Sequence, residues 1–354
     1  MKDRLPSRAD CLLPGRWWHR KPRMPRYPVG KLSHEQLARL LARLGPSRPR
    51  DVLLGPAVGE DAAAVAVGDR ALVVATDPVT FAAHRAGWYA VQINANDVAT
   101  MGARPRWFQA CVLMPTVSPV TVRSVFDDVG SACNELGVIV LGGHTEITTV
   151  LDHPIVIGTM MGLVERGSLV RSAGARIGDA IMLTKGAAIE ATSIMARECG
   201  DRLAGTVGRR ALSRAAGFLF DPGISVVREA MLAARAGATA MHDPTEGGVL
   251  TGLWEMAQAA GRRFVVDVET IPVEPLTEAL CRELDIDPLR AIASGCLLIT
   301  IPAGKAGALR RRLRRAGIAA TVVGEVRRGR AGLFDAAGKR VPVTAIDEIT
   351  KLFE

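Results

Sequence analysis

Regular alternation of hydrophobic and polar positions begins near residue 30. Ser33 followed by Gln36 has the spacing of a capping box, and Leu37, Leu40, Leu41 and Leu44 then share one helical face. Ala62 to Val67 and Ala71 to Thr76 are short apolar runs separated by Gly68-Asp69, which predicts two strands joined by a hairpin turn. A helix is predicted from about Gly87 to Met101, a strand over 107–114, and a helix over 120–136 preceded by Pro119. A short buried strand over 138–141, a glycine loop over 142–145 and a strand over 155–164 follow. Hairpin strands with two long helices predict an α+β layer rather than a doubly wound parallel sheet.

A second series starts near Val170. The pattern predicts strands over 180–184, 239–242, 264–268, 297–301 and 320–326. Helices are expected to Gly200 after Gly186, near 206–216 and 223–236, and over 245–260, 276–284 and 305–316. The Arg- and Gly-rich segment 327–345 reads as a surface hairpin. Periodicity is lost at Glu165 to Ser168, where Gly167 permits a turn. The expected organisation is an extension over 1–27, a first domain over 28–166, a second over 167–345 and a tail over 346–354.

Composition supports two cores. The chain has 354 residues, of which 48% are apolar and 23% charged, enough for two domains of ordinary size. The longest uncharged stretches, 107–122 and 291–304, are short, and Pro115 and Pro119 interrupt the first, so no bilayer-spanning helix is expected. The net charge is +9, and most of it sits in residues 1–26, where Lys2, Arg4, Arg8, Arg16, Arg20, Lys21, Arg23 and Arg26 face only Asp3 and Asp10. Nucleic-acid binding by the folded part is therefore not implied, and the run Arg310 to Arg315 reads as a solvated helix face. The basic N-terminal segment has no apolar core of a secretory signal and is expected to be disordered, with Met24 a candidate start. The cysteines Cys11, Cys111, Cys133, Cys199, Cys281 and Cys296 form no CxxC pair and read as thiols of a reducing cytoplasm.

The chemistry is carried by acidic residues at strand ends and beside glycines. Neither a GxxxxGK[ST] nor a GxGxxG phosphate loop is present. Gly59-Glu60-Asp61 precedes one strand, Asp77 follows the next, and Asn94, Asn96 and Asp97 lie within an otherwise apolar helix. Such residues compete with the helical backbone, and repeated local conflict points to a site. Converging carboxylates suit Mg²⁺, a hard cation that shares its shell with phosphates. Gly142-Gly143-His144-Thr145-Glu146 reads as an anion-facing glycine loop. His242-Asp243-Pro244-Thr245-Glu246-Gly247-Gly248 links a strand to a helix and places Thr245 at the helix start, where phosphate is favoured.

In this order, GEDAAAV (59–65), TDPVT (76–80), NDVATMGARP (96–105), GGHTEI (142–147), RIGDAIMLTKG (176–186) and HDPTEGGVL (242–250) resemble the aminoimidazole-ribonucleotide synthetase superfamily over about residues 28–326. The superfamily includes HypE, thiamine-monophosphate kinase and selenophosphate synthetase. The resemblance implies an α+β chain: a first PurM-like domain that shares a β-barrel with its twin in a homodimer, and a second PurM-like sandwich domain. It implies ATP between them, with Asp61, Asp77 and Asp97 as Mg²⁺ carboxylates. Lys31, Asp61, Gly142, Gly143, Thr145 and Glu146 would meet the nucleotide, and Asp97, His144, Asp243 and Glu246 would be catalytic. The implied chemistry is attack of an amide- or carbonyl-type oxygen on the γ-phosphate.

The segments Ile271-Pro272-Val273, Ile286 to Leu289 and Ser294 to Leu298 look most like HypE, implying a role in hydrogenase maturation. HypE is modified on a C-terminal cysteine, whereas no cysteine follows Cys296 here. The expected acceptor is therefore a separate small molecule or a carbamoylated protein. Gly87-Trp88-Tyr89-Ala90 keeps thiamine-monophosphate kinase as an alternative, and a non-catalytic nucleotide-binding regulator is the other.

Overall fold

A computed structural model describes residues 32, 34–44, 49–57, 59–80, 85–344 and 346–353. The expected disordered extension, Lys31 and Ser33 lie outside the described residues. Helix α1 (His34–Leu41) follows, with Leu37 and Leu41 half-buried and Leu40 and the nearby Leu44 exposed.

The first sheet has six strands: β1 (Val52–Leu54), β2 (Ala63–Val67), β3 (Arg70–Val79), β4 (Arg104–Met114), β5 (Ile139–Ile147) and β6 (Ile155–Glu165). Their spatial order is β1-β2-β3-β6-β4-β5, antiparallel throughout except for the parallel pair β4 and β5. The β2–β3 hairpin closes with Val67 opposite Arg70, so Gly68-Asp69 is its turn. Helices α2 (Ala86–Thr100) and α3 (Pro119–Leu136) pack against this sheet. α3 is delimited as its sequence demands, with the Ser118 side chain accepting the Thr121 N–H, Pro119 in the first turn and left-handed Gly137 at the end. α2 is buried almost all round because it lies between its sheet and the second domain.

β5 corrects two expectations. The predicted Gly142–Thr145 loop is strand, and the strand predicted to be buried is exposed along its whole length. Gly143 serves strand pairing instead. A Cβ on Gly143, at φ 152°, would lie 1.9 Å from the Ala110 carbonyl oxygen of β4, and the register shifts beside it at Phe108 and Gln109.

The second sheet contains β7 (Asp179–Thr184), β8 (Ala240–His242), β9 (Arg263–Val266), β10 (Leu298–Pro302), β11 (Ala320–Arg327) and β12 (Gly332–Phe334), in the order β12-β9-β11-β7-β10-β8. Four helices form an outer group: α4 (Ile189–Glu198), the short α5 (Gly200–Leu203), α6 (Arg209–Ala216) and α9 (Pro275–Leu284). The sheet itself lies between α8 (Gly248–Ala260) and the pair α7 (Val227–Ala236) and α10 (Ala303–Arg315). Alternation along β7 shows this, since Ile181 and Leu183 join the α8 core while Ala180 and Met182 join the α7–α10 core. Segment 327–345 is not only a surface hairpin. Its β12 pairs in parallel with β9, and Leu333 is fully buried. Among the described residues no helix is long and apolar enough to cross a membrane.

The two sheets are joined through segment 217–226. Phe218, Leu219 and Ile224 complete the first sheet's core. Asn96 of α2 donates to the Ile224 carbonyl and accepts from Val226 N–H, while Lys185 Nζ donates to the Gly223 and Ser225 carbonyls and pairs with Glu229.

Candidate functional site

At this seam the loop before β2 meets the end of β8. Asp61 stands in the Gly59-Glu60-Asp61 loop, whose backbone is too irregular to fix itself, and groups of the second half hold it. Glu60 accepts Ser172 N–H, and Gly59 lies against α8, where its Cβ position is 3.6 Å from Ala259 Cβ. His242, the last residue of β8, places Nδ1 2.9 Å from Asp61 Oδ2 and Nε2 3.1 Å from Glu255 Oε2 of α8. The Thr100 hydroxyl at the end of α2 lies 3.5 Å from Asp61 Oδ2, while its proton goes to the Asp97 carbonyl at 2.7 Å.

Asp61, His242 and Asp243 each offer one atom within 4.8 Å of the others. Asp243 is only 4% exposed, and its Oδ1 meets no donor. A buried acceptor without a partner is costly, on the order of 1–3 kcal/mol, and the unpartnered Asp243 oxygen beside the Asp61 carboxylate fits a cation. Burial pushes the Asp243 carboxyl well above the carboxylate range; the Asp61 charge adds, His242 opposes and Asp77 adds. Burial pulls the His242 imidazole down, but the Asp61 and Glu255 carboxylates outweigh it, so its pKa is raised well above the ordinary value.

The other expected site residues fall in two groups. Asp77 and Asp97 border the same space without joining the Asp61, His242 and Asp243 group. Asp77 acts on Asp243 through its charge, while its backbone is held by the Asn94 side chain on both N–H and carbonyl. Asp97 is buried, and its carbonyl accepts from the same Thr100 hydroxyl that reaches Asp61. Gly142, Gly143, His144, Thr145 and Glu146 lie on β5, at the sheet edge three strands from β3, a separation of roughly 14 Å at ordinary strand spacing. His144 Nε2 and Glu146 Oε2 are 3.6 Å apart and well exposed.

The His242–Glu246 loop is arranged differently from the expectation. α8 starts at Gly248 with Gly247 as its cap, so Thr245 is not at the helix start. The anion there is the chain's own Asp347, whose carboxylate accepts the N–H groups of Gly247, Ile292 and Ile349. Glu246 is exposed beside it. Its charge and that of Asp347 act on Glu190 of α4, which burial pushes up to about 7 against a hydrogen bond from Ser294.

Pattern reading missed Glu255, Thr100, Glu190 and Asp347. Glu255 and Thr100 sit in helices whose polar positions look solvent-facing in one dimension, and no local signal marks Asp347. The asparagines of α2 were conspicuous for another reason, since Asn94 and Asn96 use their side chains to bind passing backbone rather than a ligand.

Residues 59–164 match the AIR synthase related protein N-terminal domain, and residues 176–335 match the corresponding C-terminal domain. The chain belongs to the AIR synthase related family. Within that family it is 31% identical to the carbamoyl dehydratase HypE of Cupriavidus necator, over 71% of each chain. It is 28% identical to the selenide, water dikinase of Myxococcus xanthus, over 86% of this chain and 93% of the other. Among solved structures it superposes on HypE in complex with ATP with a TM-score of 0.68 at 23% identity, covering 92% and 97% of the two chains. The thiamine monophosphate kinase of Aquifex aeolicus gives 0.66 at 19% identity, covering 88% and 99%. The two-domain PurM-like fold is thereby established.

Proposed function

We propose that this chain is an ATP- and Mg²⁺-dependent enzyme of the HypE type, acting in hydrogenase maturation by phosphorylating an amide- or carbonyl-type oxygen. The observation that carries the reading is the meeting of Asp61 from one half with His242 and Asp243 from the other, with Asp243 Oδ1 buried and lacking a donor. The carboxylate-rich donor set suits a hard cation. Asp61 and Asp243 would hold Mg²⁺, with Asp77 and Asp97 at its border, and the ion would cancel charge on the nucleotide phosphates. The relatives named carbamoyl dehydratase HypE and the HypE–ATP structure support ATP use and place HypE ahead of the kinase.

The chain's own part is positioning. The seam brings Asp61 of one half against Asp243 of the other, so a bound nucleotide would be gripped from both. Glu246, exposed beside Asp347 on the loop that follows Asp243, would face the acceptor, a carbamoylated protein or a small amide. His144 and Glu146 stand too far from Asp77 within one chain to share its ligand. A homodimer that pairs the exposed β5 edges would give Gly142 to Glu146 a role at a neighbouring cleft, and exposed Ile139, Val140, Leu141 and Ile147 on that strand support such pairing. A cytoplasmic setting agrees with unpaired Cys111, Cys133, Cys199, Cys281 and Cys296.

ADP release measured with Mg-ATP against a carbamoylated peptide and thiamine monophosphate tests the reading. Stimulation by the carbamoylated peptide is the expected result. Stimulation by thiamine monophosphate alone would transfer the assignment to the kinase, and nucleotide binding without any turnover would make the protein a regulator.

A further inference from the structure

We propose that Glu255 and His242 are positioning residues that brace the Asp61 carboxylate against the second domain, a role that rests on the Mg²⁺-nucleotide reading of the site. Asp61 lies in a loop with no regular structure, so its own backbone does not set the direction of its side chain. Its Oδ2 bonds His242 Nδ1 at 2.9 Å, whereas the Thr100 hydroxyl, 3.5 Å from the same oxygen, gives its proton to the Asp97 carbonyl. The His242 contact therefore sets how Asp61 is presented across the seam.

The ring of His242 is itself fixed at its other end. Glu255 Oε2 stands 3.1 Å from Nε2, and the ring packs over Gly252, where a Cβ would be 3.2 Å from Cδ2. Ionised carboxylates only accept, so a ring lying between two of them donates from both nitrogens. A nitrogen that is donating has no lone pair to give a metal. While both bonds stand, His242 is thus a brace and not a ligand, even though it lies within 4.8 Å of Asp61 and Asp243. His242 does for Asp61 what outer hydrogen-bond partners do for ligating carboxylates around metal centres, where their loss typically costs about 10- to 100-fold in metal affinity, and Glu255 holds His242 in that role. Because α8 carries Glu255 and also supports Gly59, one helix sets both the loop and the carboxylate.

The test is Mn²⁺ binding to the full chain with a non-hydrolysable ATP analogue, followed by electron paramagnetic resonance, together with the melting temperature. Glu255→Ala should weaken Mn²⁺ binding by about tenfold or more. Glu255→Gln, which retains an acceptor for Nε2, should bind within about threefold of wild type. A merely structural Glu255 would lower the melting temperature and leave Mn²⁺ affinity unchanged. Should Glu255→Ala fail to fold, Glu255→Leu repeats the test with the side-chain volume kept. Wild-type affinity in the variant without an acceptor overturns the brace while leaving the metal reading intact. Absence of Mn²⁺ binding by the wild-type protein overturns the metal reading itself, and the brace with it.

Discussion

At the scale of single residues, the polar positions of α2 show how one local conflict can have two causes. Asn94, Asn96 and Asp97 all oppose helix formation, yet only Asp97 borders the carboxylate site, while the asparagines fasten strand β3 and segment 224–226. Sequence revealed that something non-local happens there; it did not reveal which residue binds backbone. Asn96→Leu should destabilise the protein by about 2–4 kcal/mol in urea unfolding, because two buried backbone groups lose their partner. Unchanged stability would show that the segment is held by packing and Lys185 alone. Glu190 supplies a pH prediction. Its folded-state pKa of about 7 lies above the ordinary 4.5, so its contribution to stability is fully present below 4.5 and is lost as pH rises through 7. Glu190→Gln should match wild type near pH 4.5 and exceed it by about 2–3 kcal/mol at pH 8, a gap of the size that shift sets. An equal gap at both pH values would mean that Glu190 ionises as freely in the fold as outside it.

At the scale of elements, most helices and hairpins were legible because period and caps agree, as in α3 with Ser118, Pro119 and Gly137. Residues 142–145 of β5 are expected to form a loop because glycine pairs mark turns more often than strands, and the approach of Ala110 explains Gly143. The expected outcome of Gly143→Ala is loss of β4–β5 pairing, seen as faster amide exchange in 139–147 with the remaining strands protected. The same edge carries the dimer proposal. Replacing exposed Ile139 and Leu141 with lysine should convert the dimer to monomer in light scattering with little change in melting temperature, since neither side chain is buried. A dimer that survives the change would place the contact elsewhere.

At the scale of the whole molecule, the order of motifs was enough to indicate the family and both domains, because six motifs in one order are far more specific than any one of them. What the linear pattern could not show was the pairing across the seam: His242 and Asp61 are 181 residues apart, and nothing periodic connects them. The consequence is that a site assembled from both halves depends on their packing. The central claim is that Asp61 and its neighbours bind nucleotide through Mg²⁺, and isothermal titration with a non-hydrolysable ATP analogue, with and without Mg²⁺, tests it most directly. The account predicts Mg²⁺-dependent binding by the wild-type chain that is lost when Asp61→Ala and Asp97→Ala are combined; equal binding by that double variant, or binding indifferent to Mg²⁺, would contradict it.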